Sequence, residues 1–245
     1  MLRDIARGAD LPSANAHRYL VSFLRVGIVA QDMSSGRYDL GPYCLDLGLA
    51  GLARLDPIRL STAILENLCE EINETVALAV WGSHGPTIVK IIDAGTPVTI
   101  TLRPGTVLSL TNSATGRAFA AFHRAPSVKQ FLENEIRALH GESQGATHAF
   151  RRRLQTQLDE IRKYGISRAS GSLTPGINGF SVPVYDHSSQ MVAAITSLGA
   201  VGEFNVTWKS PTARSMLTAA RELSTQLGYI DHSLPNIGII QPEEN

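Results

Sequence analysis

The segment "DLPSANAHRYLVSFLRVGIVAQDMSSGRYDLG", residues 10 to 41, decides the fold of the N-terminal part of this chain. Its apolar residues recur with the i, i+3, i+4, i+7, i+8 spacing of one helix face: Ala16, Tyr19, Leu20, Phe23 and Leu24. Pro12 suits a first helical turn and Gly27 suits a C-terminal cap, so we predict a helix from about Pro12 to about Val26. We expect its apolar stripe to face the core.

A shorter helix is predicted before this helix, and a hairpin is predicted after it. Ahead of it, "LRDIARGAD" places apolar residues on one side of a shorter helix, and only a short turn separates the two helices. After it, "IVAQD" and "RYDL" are typical of two short strands joined by the turn "MSSG", in which Gly36 can adopt the positive φ of a tight hairpin. The order predicts a winged helix-turn-helix, in which the second helix enters the DNA major groove.

The face opposite the apolar stripe carries small, polar and basic residues. Arginine can hydrogen-bond guanine through two donors, asparagine can do the same to adenine, and serine or a helix N-terminus can hold a phosphate. Any amphipathic helix has a polar outer face, so the alternative is a solvated surface, but the neighbouring helix and hairpin favour DNA. The predicted DNA contacts are Ser13, Asn15, His17, Arg18, Ser22, Arg25 and Arg37.

Composition limits the class of protein. The 245 residues are 43% hydrophobic, which is ordinary for a globular chain, and 22 basic residues balance 22 acidic ones, so any basic surface must be local. Cys44 and Cys69 stand alone, which disfavours a disulfide scaffold or a zinc site. No leader or long apolar run is present, so we expect a soluble, cytoplasmic protein with no membrane partner.

Beyond Pro57 the pattern changes to mixed helix and strand. A helix is followed by three β-rich runs that end at Leu102, then by three helices, two further strands and a last helix over 211–229. This order predicts an α+β domain with an antiparallel sheet flanked by helices.

The N-terminal segment resembles the winged helix-turn-helix of IclR-type bacterial transcription regulators. It is similar to their pattern I-A-x-x-x-G-L-P-x-S-T-x-H-R-x-L, then G-L-V, then G-R-Y-x-L-G, with Asp10 in place of the turn glycine. Asp tolerates the left-handed region better than most residues, so this departure is acceptable. The resemblance implies a DNA-binding domain over 1–43, a linker helix over 44–56 and a GAF- or profilin-like effector-binding domain over 57–245.

The same resemblance implies a further helix ahead of Leu2, so the DNA-binding domain is expected to be N-terminally incomplete. Three explanations are open: a start codon placed too far downstream, a trimmed chain, or loss of part of the DNA-binding unit. The last of these keeps a rival hypothesis open, a ligand-binding sensor or interaction module that no longer binds DNA.

Two downstream segments also resemble this family, in its effector-binding domain. They are "LRPGTVLSLTNSATGRAFAAF" at 102–122 and "GSLTPGINGFSVPVYDHSSQMVAAITSLG" at 171–199. The resemblance implies a pocket for a carboxylate or aromatic metabolite, and "TNSATG" opens a helix whose free amides suit an anion. The implied effector residues are Ala114, Thr115, Ser167 (or Ala169), Ile177, Gly179, Thr196 and Leu198.

Departures from the family pattern at Ser167, Gly179 and Leu198 lead us to expect a roomier, more apolar pocket that favours an aromatic or longer acid. For Thr115, Gly179 and Thr196, purely structural roles in a turn, a close approach and a sheet are equally good interpretations.

Catalytic and metal-binding motifs are missing from the sequence. There is no G-x-S-x-G, P-loop or G-x-G-x-x-G, and no metal-ligand spacing is found among His84, His123, His140, His148 and His187. A further alternative is an enzyme that acts on a small acid. It is disfavoured because the pocket positions offer no pair of side chains for acid and base catalysis. We therefore expect a regulator without cofactor or metal, which binds operator DNA and a small-molecule effector as a homodimer or homotetramer.

Overall fold

The computed structural model describes residues 1–95, 102–141, 144–170 and 176–230. The chain divides into two compact units, Met1–Leu55 and Asp56–Asn245.

The first unit contains the predicted winged helix-turn-helix. Two helices precede a two-stranded antiparallel hairpin, in which Ala30 pairs with Asp39, and a third helix follows. The elements are α1 (Leu2–Gly8), α2 (Ser13–Val26), β1 (Val29–Gln31), β2 (Tyr38–Leu40) and α3 (Tyr43–Leu52).

The turns of this unit have the backbone geometry that the sequence predicts. Asp10 lies between α1 and α2 with φ of 53°, in the left-handed region that Asp tolerates. Gly36 has φ of 67° in the hairpin turn, a value that costs glycine no steric strain. Both tight connections are therefore confirmed.

The apolar stripe of α2 is only partly buried, which corrects the sequence prediction. Ala16 and Leu20 are 3% and 6% exposed, but Tyr19 and Phe23 are 57% and 41% exposed. Within the unit, α2 packs against α1 and β1. Since these two short elements cover only part of the helix circumference, the side that carries Tyr19 and Phe23 stays open.

The second unit is an antiparallel five-stranded sheet with helices packed on it. The strand order is β4-β3-β7-β6-β5. Its elements are α4 (Pro57–Ile72), β3 (Thr75–Gly82), β4 (Gly85–Ile92), α5 (Ala114–Phe122), α6 (Pro126–His140), α7 (Gln144–Tyr164), β5 (Ser167–Ser170), β6 (Ile177–Tyr185), β7 (Met191–Ala200) and α8 (Pro211–Gln226). Most of the strand expected over 98–102 lies outside the described residues.

Helix α5 packs directly on the sheet. Phe119 of α5 belongs to a buried cluster with Ala77 and Ala79 of β3 and Ala194 of β7. Helices α6 and α7 pack beside α5, whereas α4 and α8 pack against each other and against the strands as a second helical layer. The start of α5 is thereby held close to the ends of β5, β6 and β7.

Gly116 allows the first turn of α5 to touch the preceding chain. A Cβ at this position would lie 1.9 Å from the carbonyl oxygen of Ser109 and 2.6 Å from Cα of Leu110. Both are backbone atoms, which no side-chain rotation can move away. The contact between α5 and residues 109–110 therefore requires glycine.

We expect Gly116→Ala to lower the free energy of unfolding of the second unit by about 3 kcal/mol, because overpacking against backbone forces a shift of the chain. Urea denaturation followed by circular dichroism measures the change. The control is Gly145→Ala in α7, where an added Cβ meets nothing within 4 Å. Equal stability of the two variants would contradict the close contact.

Candidate functional site

The residues predicted to contact DNA lie on α2 and, in the case of Arg37, on the hairpin. Ser13, Asn15, His17, Arg18, Ser22, Arg25 and Arg37 are all exposed. Across the described ranges, none of the ion pairs involves these three arginines. Their guanidinium groups are thus available to external anions.

The first turn of α2 adds further hydrogen-bond donors to these residues. Pro12 precedes the helix and provides no side-chain cap, and the first turn contains no acidic residue. The first amides of a helix lack intrahelical acceptors, and the helix dipole favours negative charge beside them. This arrangement is suited to a phosphate group.

The hairpin turn is stiffened by Asp32, a residue that the sequence interpretation missed. Its Oδ1 accepts hydrogen bonds from the amide and the hydroxyl of Ser34, both at 2.7 Å, and its Oδ2 accepts one from the hydroxyl of Ser35 at 2.8 Å. These hydrogen bonds lower the pKa of Asp32 to about 2. The sequence did contain a signal for this role, an Asp at the start of a Ser-rich turn, because the side chain of such an Asp caps the following amides. The turn therefore holds Arg37 on an ordered hairpin.

The second unit contains a small pocket at the start of α5. Of the predicted effector residues, the structure brings five together in its lining, and Ala169 takes the place of Ser167. The lining consists of Leu102, Leu108, Ser113, Ala114, Thr115, Ala169, Ile177, Asn178, Thr196 and Leu198.

Ser167 and Gly179 do not line this pocket. Ser167 pairs with Ser181, two positions along β5 from the pair Ala169 and Gly179, and it is fully buried. Gly179 lies beside the pocket, but a Cβ placed on it would be 2.7 Å from Cδ2 of Leu198. The Leu198 side chain therefore fills the space that glycine leaves.

The expected roominess of the pocket is not observed, since the cavity has a volume of only about 50 Å³. Pockets that enclose small organic ligands have volumes of some hundreds of Å³. Three leucines are among the residues that line this one. Accommodating an acid would require some of these side chains to move, which apolar contacts permit more easily than hydrogen-bonded ones.

A row of buried hydroxyl groups lies next to the pocket. The hydroxyls of Thr115 and Thr196 are 2.8 Å apart, and that of Thr196 donates to the hydroxyl of Ser181 at 3.0 Å. Asn178, which the sequence interpretation missed, donates from Nδ2 to the carbonyl of Phe204 at 3.0 Å. Its buried Oδ1 has no hydrogen-bond partner among the described residues. This oxygen can accept a hydrogen bond from a ligand hydroxyl group.

Ser113 fixes the start of α5 at the edge of the pocket. Its hydroxyl accepts the amide of Gly116 at 2.8 Å and donates to the carbonyl of Ser109 at 2.7 Å. The amides of Ala114 and Thr115 are left without intrahelical acceptors. Amides at a helix start, with a threonine hydroxyl beside them, can hold a carboxylate.

Other kinds of site receive no support from the described part of the chain. It contains no group of three His, Cys, Asp or Glu side chains that could hold a metal ion, and none of its helices is long and apolar enough to cross a membrane. The pocket lining contains neither imidazole nor carboxylate for acid and base chemistry.

Comparisons with known proteins agree with this combination of features. The family model described as the C-terminal domain of the bacterial transcriptional regulator IclR matches residues 50–225, and that of the IclR helix-turn-helix domain matches residues 1–33. The KdgR transcriptional regulator of Escherichia coli is 24% identical, over 94% of this chain and 87% of its own length.

Two further relatives extend the comparison. The transcriptional repressor IclR of Escherichia coli is 25% identical over 93% of this chain and 82% of its own. The crystal structure of Pseudomonas aeruginosa HmgR superposes with a TM-score of 0.81 at 34% identity, covering 94% of this chain and 90% of that one. These relatives are transcriptional regulators rather than enzymes, in agreement with the sequence prediction. The chain belongs to the IclR family and is a DNA-binding transcriptional regulator.

Proposed function

We propose that this regulator binds operator DNA through the outer face of α2 and through the hairpin, and that a small acid in the pocket at the start of α5 controls it in the cytoplasm. The observation that carries the effector proposal is the capped helix start at Ser113, where two free amides adjoin buried hydroxyls. An acid changes the affinity for DNA only if it binds the DNA-competent and DNA-incompetent states unequally.

Once side chains of the lining move to enlarge the pocket, we expect it to favour an aromatic carboxylate over a two-carbon acid, because most of its lining is apolar. The carboxylate of such a ligand would accept hydrogen bonds from the amides of Ala114 and Thr115. Its ring would replace apolar contacts among the leucines and Ile177. A ring hydroxyl could donate to Oδ1 of Asn178, whose burial without a partner is otherwise costly.

We also propose that a second copy of the chain covers α3. This helix has no buried residue in the described structure, and Leu45, Leu47 and Leu49 are 67%, 49% and 55% exposed. Leu45 and Leu49 are one helical turn apart and lie on the same side of α3, and an exposed apolar surface of this kind typically marks a protein interface. Two half-sites on DNA also require at least a homodimer, and a homotetramer satisfies the same requirement.

For DNA binding, we expect Arg18→Ala and Arg25→Ala to weaken binding to the upstream promoter, because each variant removes a donor to phosphate or base. A lost base contact costs about 1 to 3 kcal/mol of binding free energy. A lost phosphate contact lowers the slope of log binding constant against log salt concentration by about one. Fluorescence anisotropy at several salt concentrations measures both, with Arg221→Ala in α8 as the control. No binding by the unaltered chain would contradict the DNA proposal.

For the effector, we expect benzoate or phenylacetate to raise the melting temperature more than acetate does, because a ligand that binds the folded state stabilises it by mass action. Thr196→Val and Thr115→Val should reduce the shift, whereas Thr225→Val on the surface of α8 should not. Differential scanning fluorimetry measures the shift. If none of these acids stabilises the unaltered chain, the carboxylate proposal is wrong.

For assembly, we expect the double variant Leu45→Glu and Leu49→Glu to have a lower mass in solution, because two carboxylates would be buried in the α3 interface. Light scattering after size-exclusion chromatography measures the mass. The control is Val201→Glu, which places the same charge on an exposed apolar residue of the second unit. A monomeric unaltered chain would refute the interface.

A further inference from the structure

The chain segment that leads into α5 lies between two cavities. On one side, Leu108 and Ser113 line the small pocket. On the other side, Ser109 and Thr111 line a larger cavity of about 650 Å³ between this segment and helices α6 and α7. Residues 109–113, which we call the shared wall, therefore separate the pocket from that second cavity.

A single carboxylate from α6 holds one side of the shared wall. Oε2 of Glu135 accepts the amide of Leu110 at 2.8 Å, and Oε1 accepts the amide and the hydroxyl of Thr111 at 3.1 and 2.6 Å. The hydroxyl of Ser109 also donates to Oε1. The four donors occupy the acceptor sites of this carboxylate. Hydrogen bonds to a charged group are stronger than those between neutral groups.

An arginine contacts the same residue, Thr111, at its carbonyl group. Arg117 of α5 is 5% exposed, and its Nη1 donates to the carbonyl of Thr111 at 2.9 Å. Its Nη2 donates to the carbonyl of Arg168 on β5 at 2.8 Å. The Thr111 residue thus lies between a carboxylate at its amide and a guanidinium at its carbonyl. Opposite charges at the two ends of one residue polarise its peptide groups and strengthen both sets of hydrogen bonds.

The geometry of the shared wall determines where the free amides of α5 point. The hydroxyl of Ser113 donates to the carbonyl of Ser109 and so joins the two ends of the segment. Gly116 packs on that same carbonyl. A shift of Ser109 or Thr111 would therefore move the helix start together with Ala114 and Thr115. Because bound groups must be placed to a fraction of an ångström, such a shift would change binding in the pocket.

We propose that Glu135 and Arg117 are positioning residues of the effector pocket, which hold the shared wall from the side away from the ligand. The proposal rests on the effector function proposed above for that pocket. Neither residue touches the ligand itself. Their effect on the pocket is transmitted through Thr111 and Ser113, so α6 is linked by hydrogen bonds to the start of α5.

The test compares two variants that both remove stabilising contacts from the second unit. Glu135→Gln keeps the shape of the side chain but replaces one acceptor oxygen with a donor, which opposes the donors of the shared wall. Leu154→Ala removes packing from the neighbouring cluster of α6 and α7, which contains no residue of the shared wall. Glu133→Gln, two residues away on the exposed side of α6, is the matched charge control.

Two readouts need no ligand. We expect Glu135→Gln to speed amide exchange at Leu110, Thr111 and Gly116 by about tenfold or more, the size given by losing one hydrogen bond to a charged group. We also expect the methyl NMR signals of Thr115 and Thr196 to move. Leu154→Ala should lower the overall stability without a selective change at these sites, and Glu133→Gln should change neither readout.

Arg117→Lys should move the same signals, since an ammonium group cannot span both carbonyls as the guanidinium does. Thr111→Val removes only the hydroxyl donor, so it gives a smaller change and keeps the test available if the other variants do not fold. The proposal is overturned if the two threonine methyl signals stay in place, or if Leu154→Ala shifts them equally.

Benzoate titration then separates this proposal from the effector function. Weaker benzoate binding by Glu135→Gln than by Glu133→Gln supports both. If benzoate fails to bind the unaltered chain while the methyl signals move, the positioning role stands and the aromatic carboxylate is the wrong ligand. If benzoate binds both variants equally, Glu135 does not position the pocket.

Discussion

The pocket depends on the backbone contact between Gly116 and the carbonyl of Ser109. This contact allows α5 to begin close to the segment before it, and it sets the amides of Ala114 and Thr115 against the hydroxyls of the sheet. A larger residue would separate the helix from the segment and disperse these groups. The geometry of the pocket therefore starts from a steric requirement of the backbone, and the hydrogen bonds that Ser113 and Glu135 accept from backbone amides then fix it further.

The first unit leaves several of its large apolar side chains exposed. Small units bury little apolar surface and are marginally stable alone. Here Ala16 and Leu20 are buried, while Tyr19, Phe23 and the leucines of α3 remain exposed. Much of the apolar surface of the unit is thus available for contacts with other protein, and covering it would add stability that its own core does not supply. The proposed assembly through α3 would then be linked to DNA binding, because both would use the same short elements.

Local sequence patterns predicted most of the elements, because helical spacing and turn residues act over a few neighbours. Periodicity placed α2 to within one residue, and Gly36 located the hairpin turn. Periodicity could not show how wide a strip of α2 its neighbours cover, so the exposure of Tyr19 and Phe23 was missed. The role of Glu135 was also out of reach, since it joins residues some 25 positions apart and carries no motif.

Both functional surfaces use the positive end of a helix, but burial gives them different properties. The start of α2 is exposed and has no side-chain cap, so its attraction for phosphate is screened by salt over a Debye length of about 8 Å. The start of α5 is buried, with Ala114 and Thr115 at 4% and 1% exposure, and it is screened much less. Affinity for DNA should therefore respond to ionic strength far more than affinity for the proposed acid, so such an acid would act as a signal independent of the salt that modulates DNA binding.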